Sequence, residues 1–200
     1  MEKTPLLLLI SGPAGSGKTT LCDRLLEEFS PGLQRVITAT TRPPRPGEVN
    51  GVDYHFLNED DFLEKVRNHE FYEHARVHSG YYGTLKAEIQ NKLASQINLI
   101  LNIDVQGAAT FRALAKIDPV LAQQLRTLFV LPASIDQIRN RLHSRGKDSS
   151  EEIERRLLTA EKEMEQKDYF DHILLSASKE EDYQNIRNYY LTASQATPVQ

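Results

Sequence analysis

Two hundred residues, 40% of them hydrophobic and 26% charged, bound the chain to one globular domain with room for inserted subdomains and exclude a disordered or fibrous protein. A formal net charge of −4 argues against a general nucleic-acid-binding surface, and the single cysteine, Cys22, excludes an intramolecular disulfide and fits a reducing compartment. The longest apolar run, Leu6–Ile10, is too short to cross a bilayer and runs straight into a glycine loop, so the expectation is a cytoplasmic chain, monomer or small homo-oligomer, with neither a membrane nor a nucleic acid as partner.

In chain order, Leu6–Ile10 is a continuous apolar run of strand length, suited to burial on both faces. A helix is predicted from Lys18 to Phe29, with Leu21, Leu25 and Leu26 on one side, ended by Ser30, Pro31 and Gly32. Val36–Ala39 reads as the second strand. The proline-rich stretch from Arg42 to Gly47 can be neither helix interior nor central strand. Short alternating pieces at Tyr54–Leu57 and Glu73–Val77 flank a helical Asp60–Asn68, so residues 38–97 read as an insert with a small irregular sheet. The main alternation resumes with a strand at Leu99–Ile103, a helix at Val105–Lys116, a strand at Leu128–Leu131 stopped by Pro132, and a helix at Ile135–Ser144. A polar turn, Arg145–Ser150, leads into a charged helix, Glu151–Lys167, with Ser149 and Glu152 placed for a capping box. A last strand, His172–Leu175, and a helix, Lys179–Leu191, close the chain, and residues beyond Thr192 read as frayed. Strands separated by helices imply an α/β fold, a mostly parallel sheet with helices on both faces, whose ligands gather at the carboxyl ends of the strands. The glycine loop, Asp104 and Pro132 all fall at such ends.

Gly12, Pro13, Ala14, Gly15, Ser16, Gly17, Lys18 and Thr19 fit G-x-x-x-x-G-K-[ST], and Thr20 follows on the helix. Glycines let backbone N–H groups turn inward around phosphate oxygens, and the helix adds the positive end of its dipole. Lys18 reaches the β- and γ-phosphates of a nucleoside triphosphate, and the Thr19 hydroxyl can hold Mg²⁺. A buried-type strand before the motif and an amphipathic helix after it supply the required context. ATP with Mg²⁺ is therefore the expected co-substrate. The chain has no N-K-x-D guanine-reading element of a GTPase, and it is short for a motor ATPase. Arg42 and Arg45 in the proline-stiffened loop, and Arg141, Arg145 and Arg156 around the polar turn, suit the clamping of phosphate oxygens. Arg155 reads as a solvated surface charge. Taken alone, Glu73 reads as an exposed edge charge, and Tyr54 and Tyr82 fit core packing as well as ligand binding.

Residues 40–56, TTRPPRPGEVNGVDYHF, match T-T-R-x-x-R-x-G-E-x-x-G-x-x-Y-x-F. With Glu73, the run Tyr81, Tyr82, Gly83 and Thr84, the run Ile103 to Gly107, and the arginines from Arg141 through Arg145 and Gly146 to Arg156, the chain resembles the guanylate kinase family from about residue 6 to about residue 178. The resemblance implies a P-loop NTPase-type fold and the reaction ATP + GMP → ADP + GDP with Mg²⁺. It divides the chain into a core (1–37, 98–137, 157–200), a GMP-binding insert (38–97) and a lid (138–156). It implies that Arg42, Arg45, Tyr54 and Tyr82 hold the GMP phosphate and that Thr38, Glu73, Thr84 and Asp104 read or seat guanine. Lys18, Arg42, Arg141, Arg145 and Arg156 would be catalytic, with the last three closing over the ATP phosphates. Three positions depart from the family's pattern: Asn102 where Asp is usual, Ser176 and Ala177 where Asn-Asp is common, and Ala39 where a polar residue is common. Two rival readings stand beside this one: a non-catalytic module of the same fold, and a P-loop kinase with another acceptor. The intact cradle speaks against the first, and Glu73 with Thr38 against the second.

Overall fold

The computed structural model describes residues 4–77, 80–145 and 149–195. The first half of the chain runs β1 (Leu7–Ser11), α1 (Lys18–Phe29), β2 (Leu33–Arg35), β3 (Ala39–Thr40), β4 (His55–Phe56), α2 (Glu59–Arg67), β5 (Phe71–Val77), β6 (Gly80–Leu85) and α3 (Lys86–Ala94). The second half runs β7 (Asn98–Asn102), α4 (Val105–Ala115), α5 (Pro119–Gln124), β8 (Leu125–Leu131), α6 (Ile135–Arg145), α7 (Ser150–Met164), β9 (His172–Leu175) and α8 (Lys179–Gln195), with a 3-10 turn at Lys167–Tyr169.

β1 is buried along its whole length because it is the middle strand of a five-stranded parallel sheet, ordered β2-β7-β1-β8-β9. Alternate side chains of a strand point to opposite faces. Leu6, Leu8 and Ile10 accordingly pack with Leu21, Cys22 and Leu25 of α1 and with Tyr183, Ile186 and Tyr190 of α8. Leu7 and Leu9 pack on the other face with Ile89 and Leu93 of α3 and with Val105, Ala108 and Phe111 of α4. An apolar run without alternation is the sequence mark of a strand covered on both sides. At about 25 cal/mol per Å² of apolar surface, each fully buried leucine here contributes roughly 1.5–3 kcal/mol.

Two smaller bodies rise from the carboxyl ends of the sheet. One is a four-stranded sheet, ordered β4-β3-β6-β5, in which β3 and β4 run parallel and the other neighbours antiparallel. It has its own core of Ala39, Phe62 and Phe71. The other is the pair α6 and α7, closed on Ile138, Leu142, Ile153, Leu157 and Ala160. Ser149 caps α7, its hydroxyl accepting the Glu152 N–H at 3.2 Å. The Glu152 carboxylate is turned to Arg155 and Arg156 rather than back to the cap.

Several boundaries differ from the sequence reading. The strand expected at Val36–Ala39 is two strands in two sheets: β2 ends at Arg35, and β3 begins at Ala39. Val36 still gives its N–H to Ile100 O at 3.0 Å, but the chain then leaves the main sheet. The apolar pair Val36 and Ile37 thus marks the exit of an edge strand, not its middle. β6, α3 and α5 carry weak periodic signals and were not anticipated. α3 falls within 38–97, yet its Ile89 and Leu93 pack on the main sheet. α8 is not frayed after Thr192 but runs to Gln195, with Ser194 buried and its hydroxyl on Leu191 O at 3.1 Å. No described helix is long and apolar enough to cross a membrane.

Candidate active site

β1 delivers the chain into the glycine loop at the carboxyl edge of the sheet, and the loop delivers it into α1. Gly12 has φ +138°, and a Cβ there would sit 2.5 Å from Val130 O, so only glycine fits against β8. Gly15 and Gly17 also take positive φ. The first turn of α1 has no side-chain cap and no acidic residue, which leaves its N–H groups and positive dipole end to a ligand. Lys18 Nζ donates to Gly12 O at 2.6 Å and Pro13 O at 3.0 Å, lying along the loop it belongs to. Among the described residues the Ser16 hydroxyl is buried without a partner. An orphaned hydroxyl buried in a glycine loop at a helix N-terminus fits a polyanion.

A cavity of about 290 Å³ opens beside this loop, lined by Gly15, Ser16, Gly17, Thr20, Arg24 and Arg141 among others. Arg141, reaching from α6, donates through Nη1 to Gly15 O at 3.2 Å and Ser16 O at 3.0 Å, and through Nη2 to Ser176 Oγ at 3.3 Å. Ser176 in turn donates to Asp182 at 2.7 Å, and the Ala177 N–H meets the same carboxylate at 2.7 Å. At Ser176 and Ala177, where the sequence departs from the family's pattern, the polar groups thus turn inward to α8. Arg156 pairs with Glu152 on its own helix at 3.1 Å and does not line the cavity. The Arg145 side chain and residues 146–148, the middle of the expected polar turn, lie outside the described residues.

A second cavity, about 240 Å³, is lined by Thr38, Tyr54, Glu73, Tyr82, Asn102 and Asp104 among others. A register shift in β5 between Phe71 and Glu73 builds it. In a regular strand those two residues share a face; the bulge sends Phe71 into the small core against Phe62 and sets Glu73 opposite Thr84. Gly83 faces the bulge, and a Cβ there would meet Glu73 O and a Phe71 ring carbon, each at 2.8 Å. Thr84 Oγ1 donates to Glu73 Oε1 at 2.6 Å. Burial raises the Glu73 carboxyl above its ordinary range, Thr84 opposes the shift, and the Asp104 charge adds to it. Asp104 caps α4, accepting the Gly107 N–H at 2.7 Å. The Tyr54 and Tyr82 rings meet edge to face at 6.2 Å, and the Arg42 guanidinium lies 5.1 Å from the Tyr54 centroid. Arg45 is exposed and lines neither cavity.

The second cavity touches the phosphate loop through one hydrogen bond. Asn102 lines that cavity and donates from Nδ2 to Thr19 Oγ1 at 3.3 Å, on the phosphate loop. Glu163 of α7 is a residue sequence reasoning passed over as one more charge on a polar helix. Burial raises its carboxyl, the nearby Lys18 lowers it, and Asp104 raises it again, so it lies within electrostatic reach of both. Only its helical register against Leu157 and Ala160 could have signalled this. No three His, Cys, Asp or Glu side chains among the described residues come together to hold a metal by themselves. The oxygens at hand, Thr19 and a nucleotide's own phosphates, are the hard and sparse set that Mg²⁺ accepts when it keeps most of its waters.

A glycine-rich phosphate loop at the carboxyl end of a parallel sheet, with helices on both faces, defines a P-loop protein of the α/β class. Residues 4–193 match the protein-family model described as guanylate kinase. A guanylate kinase of Hydrogenovibrio crunogenus is 40% identical over 97% of this chain and 91% of its own length, and one of Wolbachia from Brugia malayi is 40% identical over 88% and 87%. The crystal structure of guanylate kinase from Anaplasma phagocytophilum superposes with a TM-score of 0.74 at 25% identity, covering 98% of this chain and 90% of that one. The chain belongs to the guanylate kinase family.

Proposed function

We propose that this chain transfers the terminal phosphoryl group of ATP to GMP, and to dGMP, giving ADP and the guanosine diphosphate for purine nucleotide metabolism. It is an ATP:GMP phosphotransferase, a nucleoside monophosphate kinase. The observation that carries the reading is the contact between the two sites: Asn102 lines the Glu73 cavity and donates to Thr19 of the phosphate loop.

Guanine presents N1–H and N2–H as donors and O6 as an acceptor. Glu73 can accept from both donors, while Thr38 and Thr84 supply hydroxyls and Asp104 closes the far side. Adenine would set a lone pair against the same carboxylate, and a buried acceptor left unpaired discriminates strongly. Arg42, Arg45, Tyr54 and Tyr82 take the GMP phosphate, with Arg45 swinging in from its exposed loop. Gly12 to Thr20 take the ATP phosphates.

A GMP phosphate oxygen attacks the γ-phosphorus; that P–O bond forms as the bond to the β,γ-bridging oxygen breaks, and the pair leaves on ADP. Little proton chemistry is required, because the attacking oxygen is already anionic. Lys18, Arg42, Arg141, Arg145 and Arg156 neutralise the charge that collects on the transferring group, and alignment does the remainder. Thr19, with the ATP phosphates, would hold Mg²⁺, which would supply further charge neutralisation. We assign 38–97 as the acceptor-binding insert, 138–156 as the lid and the remainder as the core. The thiol of Cys22, buried and raised to about 12 chiefly by that burial, is inert and suits the cytoplasm, where we place the enzyme.

ADP formation measured with GMP, dGMP, AMP, CMP and UMP tests the reading. GMP and dGMP are expected to turn over and the others to lag by at least about 100-fold, the scale on which an unpaired buried polar group discriminates. Comparable rates with AMP overturn the guanine assignment.

A further inference from the structure

The Arg42 guanidinium is already gripped. Nη2 donates to Glu48 Oε1 at 2.6 Å and Nη1 to Glu48 Oε2 at 2.7 Å, a two-pronged pair on the end of the fork. Nη1 also donates to Pro43 O at 2.9 Å. The same Glu48 oxygen, Oε2, accepts the Arg45 N–H at 2.7 Å, and Glu48 returns its own N–H to Arg45 O at 3.0 Å. One carboxylate therefore ties together both arginines of the loop. The side chains of Arg42 and Glu48 are only 15% and 19% exposed, unlike an ordinary surface pair. Arg42, above all, and the Arg45 amide push the Glu48 carboxyl down to about 2, so it is ionised throughout the neutral range.

A further side-chain hydrogen bond joins Arg42 to Tyr82, which lines the acceptor cavity. Among the described residues no second carboxylate pairs with this guanidinium, so the charge it offers beside Tyr82 and Tyr54 is balanced by Glu48 alone. Glu48 itself does not line the acceptor cavity, whereas Tyr54, over whose ring Arg42 lies, does.

We propose that Glu48 is a positioning residue for the acceptor phosphate: it holds Arg42 by the end of its fork so that the guanidinium stays beside Tyr54 and Tyr82 for phosphate oxygens, and it holds the Arg45 backbone in the same frame. This rests on the reading that Arg42 and Arg45 bind the GMP phosphate. A carboxylate so near also opposes a phosphate dianion, and two effects of opposite sign follow from its removal. Orientation outweighs repulsion because Glu48 is neutralised by its own bidentate partner, whereas an unheld arginine must be ordered anew at each binding event.

The test compares wild type, Glu48→Gln, Glu48→Asp, Arg42→Ala and the double variant Glu48→Gln/Arg42→Ala by calorimetric binding of GMP and of guanosine, with KM and kcat for each nucleotide. Glu48→Gln is expected to raise the Kd and KM for GMP about 10-fold, the scale of a charge-assisted bond. Guanosine binding and the KM for ATP stay unchanged. Glu48→Asp keeps the charge but shortens the reach, and falls between. In the Arg42→Ala background the loss from Glu48→Gln shrinks to below about 2-fold, because coupled residues are not additive. Unchanged or tighter GMP binding, equal weakening of guanosine, or full additivity with Arg42→Ala overturns the proposal while leaving the GMP reading standing. Wild-type protein that fails to bind GMP overturns both.

Discussion

Glu73, which we propose reads guanine, carries a cost to the fold. Its carboxylate is half-buried, bonded to Thr84, with the Asp104 charge close by. Both burial and Asp104 favour the protonated form, so the folded protein takes up this proton more readily than the unfolded chain. The stability linked to Glu73 is therefore full at low pH and is lost as pH rises through the raised folded value. Glu73→Gln removes that dependence. We predict a variant at least as stable as wild type at pH 7 by urea unfolding, yet with GMP binding weakened by roughly 1.5–3 kcal/mol and ATP binding intact. Equal loss of both nucleotides contradicts the division of roles. In wild type the affinity for GMP is expected to fall with decreasing pH sooner than ionisation of an exposed glutamate would allow, since the neutral acid cannot accept both guanine N–H groups. A calorimetric pH series on wild type checks this, and the Glu73→Gln variant removes the step.

Elements place these residues by their ends and their irregularities. The glycine loop works because β1 ends beside β8, where a side chain at residue 12 has no room below Val130 O. Gly12→Ala adds left-handed backbone strain of about 1–3 kcal/mol to that collision. We expect it to lower unfolding stability by at least that amount and to impair ATP binding more than GMP binding, read by urea titration and calorimetry. The bulge in β5 acts at the other cavity, turning Glu73 away from the core that receives Phe71. Asp104 belongs to both levels, as cap of α4 and wall of the acceptor cavity.

At the scale of the molecule, the insert sheet and the α6–α7 pair each close on their own apolar cluster, separate from the two cores of the main sheet. Bodies with private cores can move without unpacking one another. Glu88 of α3 ties the insert to the core, accepting the Ile37 N–H at 3.0 Å while facing His55 Nε2 at 3.3 Å and pairing with Lys92. Phosphoryl transfer demands water exclusion, so both bodies are expected to close over the paired nucleotides. By small-angle scattering, the radius of gyration should fall from the roughly 16 Å of a compact chain of this length when GMP and a non-hydrolysable ATP analogue are both present. A value unchanged by the pair contradicts closure.

The chain of residues alone determined the parallel sheet and the phosphate loop, because each is local, whereas the acceptor residues were legible only through the resemblance of residues 40–56 to a family. A continuous apolar strand, a glycine spacing and an adjacent helix are all read within a few turns of chain, and α1 and α4 begin where their residues say they should. Tertiary structure decided what depends on partners far away in the chain. Val36 leaves its sheet because β2 is an edge that β7 holds only briefly. α3 and α5 owe their helical form to packing rather than to a strong periodic stripe. Glu73 meets Thr84 only because a bulge shifts the register, and Asn102 reaches Thr19 only because β7 lies beside β1. The sign of a local preference is written in neighbouring residues, whereas the burial of a charge is set by whatever the fold brings against it.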